Sequence, residues 1–73
     1  MNIEEKRQRV IVKIIARRKE LGISQWNLAI KLNLSENAYF KIEKGQSKLD
    51  IKRLFLILEI LEISVFDFFA DFQ

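Results

Sequence analysis

A chain of 73 residues buries only about 60% of the surface its unfolded form exposes, so a stability of a few kcal/mol is expected, with a partner subunit helping. With no Cys and no His, disulfides, thiolate nucleophiles, structural zinc and imidazole acid-base chemistry are ruled out, and most enzyme classes go with them. A hydrophobic fraction of 49% excludes a disordered tail, and the net charge of +3 hides an asymmetry: residues 1–48 hold eleven Lys or Arg against five acids, residues 49–73 two against five. That separation suits a domain with one end turned to a polyanion and the other kept for folding or self-association, the plainer alternative being a solvated surface. The opening MNIEEKRQRV has two acids and no apolar run of signal-peptide length, and the longest uncharged apolar stretch, 54–58, is far too short for a bilayer. A soluble, cytoplasmic protein with no membrane partner is expected.

The first helix is predicted over roughly residues 4–20. Val10, Ile11, Ile14, Ile15 and Leu21 recur at three- and four-residue spacing, with Lys6, Arg7, Arg9, Lys13 and Arg17 mostly outside that face. Gly22 closes it in a left-handed conformation, and Ile23 anchors the entry to Ser24. Ser24 caps a second helix whose buried face is Leu28, Ala29 and Leu32. Ser35 caps a third, with Glu36 in its first turn, Tyr39 and Ile42 facing inward, and Gly45 as its stop. Only Asn33 and Leu34 separate Leu32 from Ser35, so these two helices must cross at a wide angle, and residues 24–45 form a helix-turn-helix.

Asp50 is a good cap for a fourth helix. Ile51, Leu54, Phe55, Leu58 and Leu61 mark its buried side, while Leu56, Ile57 and Ile60 widen the stripe until the helix is apolar nearly all round, as a central core helix would be. Ser64 and Asp67 resemble a capping box opening a final apolar helix, about 64–72, through Phe66, Phe68, Phe69 and Phe72. One all-α domain of five helices, spanning 1–73, is the expectation.

Two stretches, ARRKELGISQWNLAIKLNLSENAYFKIEKG and LEISVFDFF, combine a Gly-x-Ser-Gln start, a Leu-Ala pair, an x-Leu-Ser corner and an Ile-Glu-x-Gly stop over some sixty residues. On these the run from about Val10 to Phe69 resembles the phage-repressor-like (Cro/CI, XRE-type) helix-turn-helix DNA-binding family. The resemblance implies a five-helix, lambda-repressor-like domain with the helix-turn-helix at helices two and three. It also implies that Gln25 touches a DNA phosphate at the start of the second helix. Ser35, Glu36, Asn37, Phe40 and Lys41 would form the outward face of a recognition helix lying in the major groove. Asn37 and Lys41 are four apart and chemically suited to adenine and guanine edges, which makes them the best base-reading pair. Lys44 and Lys48 would grip the backbone at the helix stop, although lone surface lysines are ordinary. Arg18 and Glu43 resemble a structural ion pair tying the first helix to the recognition helix.

Three residues depart from the family pattern. Phe40 stands where small polar residues are common, Trp26 where Glu is common, and Glu36 sets a negative charge at the leading edge of a phosphate-facing surface. Phe40 can touch a thymine methyl, Glu36 can accept from cytosine, and Trp26 can donate to a phosphate; alternatively the three form a protein-contact patch. At the other end the phenylalanines cannot all face inward. Phe66 and Phe69 share one side and Phe68 and Phe72 another, which predicts an exposed strip and a two-fold homodimer through Ile63, Phe66, Phe68, Phe69 and Phe72.

These expectations converge on a sequence-specific regulator of double-stranded DNA, a small repressor that occupies a palindromic operator as a dimer, with no catalytic residue, metal or cofactor. Two other classes stand beside it. An antitoxin-like or anti-regulator module would bind a protein partner and DNA weakly or not at all. A carboxylate-and-metal nuclease is disfavoured, because the ten acids show no metal-ligand spacing.

Overall fold

The structure is a computed structural model and describes residues 1–72. Among them are five helices and no strand: α1 (Ile3–Glu20), α2 (Gln25–Lys31), α3 (Glu36–Glu43), α4 (Ile51–Ile60) and α5 (Val65–Phe69). Helix α1 begins a residue earlier than expected because Asn2 and Glu5 cap it reciprocally: the Glu5 amide donates to Asn2 Oδ1 at 2.8 Å, and the Asn2 amide donates to Glu5 Oε1. The caps expected at Ser24, Ser35, Asp50 and Ser64 are all in place, each side chain accepting an amide three residues on.

One kind of corner recurs. Helices α1 to α4 each end in a left-handed residue, Gly22, Asn33, Gly45 and Glu62, at φ between 56° and 74°. At each, the amide of the following residue bonds back to the carbonyl of the last turn: Ile23 to Arg18, Leu34 to Ala29, Gln46 to Lys41 and Ile63 to Leu58, at 2.9–3.1 Å. In three of the four the next two residues are an aliphatic side chain packed on the core and a capping serine: Gly22-Ile23-Ser24, Asn33-Leu34-Ser35 and Glu62-Ile63-Ser64.

The core collects Ile11 and Ile14 from α1, Leu28, Ala29 and Leu32 from the α2 segment, Tyr39 and Ile42 from α3, Ile57, Leu58 and Leu61 from the α4 segment, and Phe68 from α5. The inward faces expected for α2 and α3 are the observed ones. Leu21, expected inside, is a partly exposed C-cap. Helix α4 is amphipathic rather than central. Its inward line is Leu54, Ile57, Leu58 and Leu61, whereas Phe55 lies about 100° round the helix from Leu54 and is half exposed, as is Leu56. Ile51 is 70% exposed at the helix start.

Helix α5 is shorter than expected, because the chain turns at Ala70 and the Asp71 carboxylate is drawn to Arg9 and Lys13 of α1. Those two cations, Lys13 foremost, hold Asp71 at a pKa of about 2. Phe68 is fully buried, and Phe69 and Phe72 are partly covered. Phe69 meets Phe68 and Phe72 edge-on at 4.9 and 5.0 Å, and Phe72 lies under Arg9 and Lys13. Ile63 is spent on its corner. Four of the five residues expected to form a dimer face are therefore packed within this chain, and only Phe66, 81% exposed, stands clear.

Four variants have expected outcomes in urea unfolding. Phe68→Ala costs about 3–5 kcal/mol, as truncation of a buried aromatic does, while Phe66→Ala changes protomer stability by less than about 0.5 kcal/mol. Glu62→Gly relieves a left-handed non-glycine residue and stabilises by about 1 kcal/mol, and Gly22→Ala reverses that sign at an equivalent corner.

Candidate nucleic-acid interface

The outward face of α3 follows from what its inward face must bury. Tyr39 and Ile42 are fixed in the core, so Glu36, Asn37, Phe40 and Lys41 are left in solvent. Asn37 and Lys41 lie one turn apart, and neither makes a side-chain hydrogen bond or ion pair among the described residues. An α-helix with its side chains is about 10–12 Å across, which lets α3 enter a DNA major groove about 12 Å wide. Ser35 spends its hydroxyl on the Ala38 amide, so its part in the face is to present the helix start, where unpaired amides and Glu36 gather. Lys44 sets its ammonium 5.2 Å from the Phe40 ring, which both orders that lysine and masks part of an aromatic that is 40% exposed. Lys48 is exposed in the segment that follows.

Behind this face α3 is held to α1 and α2 through one carboxylate. Arg18 and Glu43 meet as a two-bond pair, Nε to Oε2 at 2.7 Å and Nη2 to Oε1 at 3.1 Å, with both side chains less than a tenth exposed. Arg18 also donates to the Ile23 carbonyl at 2.9 Å. Burial pushes Glu43 upward, but hydrogen bonds led by the one from Arg18 outweigh it and hold the carboxyl below its ordinary value; the same bond raises Arg18. Burial, with Glu43 close by, pushes the Tyr39 phenol far above its ordinary value, so Tyr39 stays neutral, and its buried hydroxyl has no hydrogen-bond partner among the described residues. The expected pairing of Arg18 with Glu43 is thus realised geometrically.

Gln25 is placed differently from the expectation. Its Nε2 donates to Glu43 Oε1 at 2.9 Å, so the residue ties α2 to α3. An amide carries two N–H donors, and the second is left for another acceptor. Trp26 is 56% exposed on α2, and Ile30, one turn along and 54% exposed, joins it. The sequence pattern does not single out Ile30, although its offset from Leu28, Ala29 and Leu32 is the signal that would have done so.

Much of the basic surplus lies elsewhere. Arg7, Arg9, Lys13, Arg17 and Arg18 of α1 all turn to acceptors of this chain: Arg7 to Gly45, Arg9 and Lys13 to Asp71, Lys13 also to the Phe68 carbonyl, and Arg17 to Glu20 and to the carbonyls of Leu61 and Glu62. The charge asymmetry therefore serves packing in large part; Lys41 and Lys44 lie on and at the end of α3, Lys48 follows in the next segment, and Lys19 of α1 borders the same cleft as Gln25, Phe40 and Lys44.

A family model described as helix-turn-helix matches residues 14–68, the span that carries this corner, its brace and the helices behind it. The chain belongs to that family, of the Cro/CI-like, XRE type, and is a DNA-binding regulator of that type; such domains regulate transcription and are not typically enzymes. No curated protein and no solved structure matches the chain. None of the described helices is long and apolar enough to cross a membrane, and no cluster of described acids could hold a metal ion.

Glu43 gives a pH-dependent prediction with a definite sign. Its folded pKa lies below the unfolded value of 4.5, so its contribution is complete above that pH and is lost as the pH falls through the folded value. Glu43→Gln, which leaves a buried Arg18 without its counter-charge, is expected to cost about 3–5 kcal/mol at pH 7. The gap between wild type and variant narrows on acidification below 4.5, as followed by urea titrations at several pH values.

Proposed function

We propose that this protein is a sequence-specific repressor that occupies a roughly palindromic operator as a two-fold dimer. The carrying observation is the pair Asn37 and Lys41, exposed and unengaged on one side of a helix whose opposite side is locked into the core and to Glu43. Asn37 has the donor and acceptor to pair with adenine, and Lys41 the donors for guanine. Glu36 and Phe40 flank them, suited to a cytosine amino group and a thymine methyl. Gln25, through its second N–H, and Trp26 meet the phosphates at the start of α2, while Ser35, Lys44 and Lys48 bring the ends of α3 against the backbone. No cofactor enters this scheme.

The dimer is drawn from apolar surface that the protomer leaves open. Phe66 and Val65 of α5, with Ile51, Phe55 and Leu56 of α4, are 43–81% exposed, and contiguous apolar surface is the kind a partner subunit covers. A two-fold contact there sets two recognition helices about 34 Å apart, in successive major grooves. A protein acting on genomic DNA would work in the cytoplasm.

A second reading rests on Trp26 and Ile30, an exposed apolar pair beside the recognition helix. It makes the chain an antitoxin-like or anti-regulator module whose α2 face docks another protein. A stoichiometric protein partner recovered with no preferred DNA sequence favours that reading.

Selection of bound duplexes from a random pool is expected to return a two-fold symmetric sequence. Affinity for it falls with salt, by about 0.9 in log-log slope for each phosphate neutralised. Asn37→Ala combined with Lys41→Ala lowers discrimination against a scrambled duplex by about 1–3 kcal/mol for each base no longer read. A flat salt response, or unchanged discrimination in the double variant, overturns the proposal.

A further inference from the structure

Two guanidiniums of α1 reach the C-terminal end of α3, and they come from opposite ends of the first helix. Arg7 and Arg18 are eleven positions apart, about 16 Å along a helix axis, with Ile11 and Ile14 buried between them. Arg18 holds the Glu43 carboxylate. Arg7 Nη2 donates to the Gly45 carbonyl at 2.6 Å in a partly buried setting, and its Nη1 is steadied by Glu4 at 2.9 Å. Gly45 sits down on this part of α1: a methyl group there would stand 3.6 Å from Arg7 Nη1 and 3.8 Å from Ile11 Cδ1. Its own φ is +74°, and its amide and that of Gln46 bond back to Ile42 and Lys41.

The bonds to Glu43 hold α3 to α1 and α2 at the last residue of the helix. A second attachment two residues further on, from the other end of α1, extends that hold past the helix stop. It also sets the direction in which the chain leaves α3 toward Lys48. We propose that Arg7 is a positioning residue for DNA recognition: by gripping the Gly45 carbonyl it fixes the angle of α3 against α1, and it does so without touching DNA itself. The proposal rests on the DNA-binding reading above and adds a residue to which neither the family resemblance nor the sequence pattern assigns a role.

The brace is measurable without DNA. In Arg7→Ala, amide hydrogen exchange at Gly45 and Gln46 is expected to quicken by about tenfold, the effect of removing one charge-assisted hydrogen bond. The amide of Ile63, at the equivalent corner after α4, is expected to stay as in wild type. Unchanged exchange at Gly45 and Gln46 overturns the proposal whatever the protein binds.

The functional half uses the duplex selected from a random pool and a mixed-sequence duplex of equal length. Arg7→Ala is expected to weaken binding to the selected duplex by about tenfold, with binding to the mixed duplex and its salt slope unchanged, since every phosphate-binding cation is still present. Arg7→Lys, which keeps a donor for the Gly45 carbonyl, restores most of the affinity; Arg7→Met, which keeps an aliphatic stem but has no donor, takes the alanine variant's place if that does not fold and is expected to show the same losses. A fall in affinity for both duplexes with a slope flatter by about 0.9 makes Arg7 a phosphate ligand and overturns the positioning role. So does a lowered melting temperature with unchanged affinity for both duplexes. If wild type prefers no duplex, the DNA-binding reading fails, while the exchange experiment still decides whether Arg7 braces α3.

Discussion

A single carboxylate joins the first three helices. Glu43 belongs to α3, accepts two bonds from Arg18 of α1 and one from Gln25 of α2, and lies almost out of reach of water. In so sheltered a place an unpaired charge is far more expensive than the pair, so the three helices are committed to one mutual arrangement. The corner at Asn33 and Leu34 gives the helix-turn-helix its bend, but a bend alone does not say how the second helix sits on the rest of the domain. Glu43 supplies that, and because Gln25 is both its partner and the first residue of α2, the start of α2 and the outward side of α3 share one anchor.

The cations of α1 show how a small domain uses one residue type for two purposes. Helix C-termini leave carbonyls without intrahelical partners, and Arg7, Lys13 and Arg17 supply donors to three of the places where such carbonyls gather, at Gly45, Phe68 and Leu61. Each bond also pins a later segment to the first helix. With few residues to bury, the domain gains from side chains that pack their aliphatic stems and satisfy a backbone acceptor at the same time. Lys41 and Lys44, on and at the end of the helix whose inner face is already occupied, and Lys48 just beyond it, are among the exposed cations that make no ion pair among the described residues.

The parts that are legible in the sequence are those decided within half a dozen residues. Caps at Ser24, Ser35, Asp50 and Ser64, stops at Gly22 and Gly45, and the inward residues of α2 and α3 depend on short-range spacing, and all are found as expected. The partnership of Arg18 and Glu43 comes from family resemblance, since nothing local links positions so far apart. What is not legible depends on distant neighbours. Helix α4 reads as apolar all round because its pattern cannot say that Phe55 and Leu56 stay about half exposed among the described residues. The final helix reads as longer because Asp71 answers to Arg9 and Lys13, some sixty residues earlier, and the same cations draw Phe72 inward. Gln25 reads as facing solvent or phosphate because its partner, Glu43, is already matched with Arg18.

The recurring corner of left-handed residue, aliphatic anchor and serine cap has a kinetic corollary. Each such joint closes on bonds that span at most five residues, so helix pairs can find their angles before any distant segment arrives. A chain built from joints of this sort has low contact order, and domains with that property assemble in microseconds to milliseconds. The contacts of Asp71 with Arg9 and Lys13 close the longest stretch of chain among the described ion pairs.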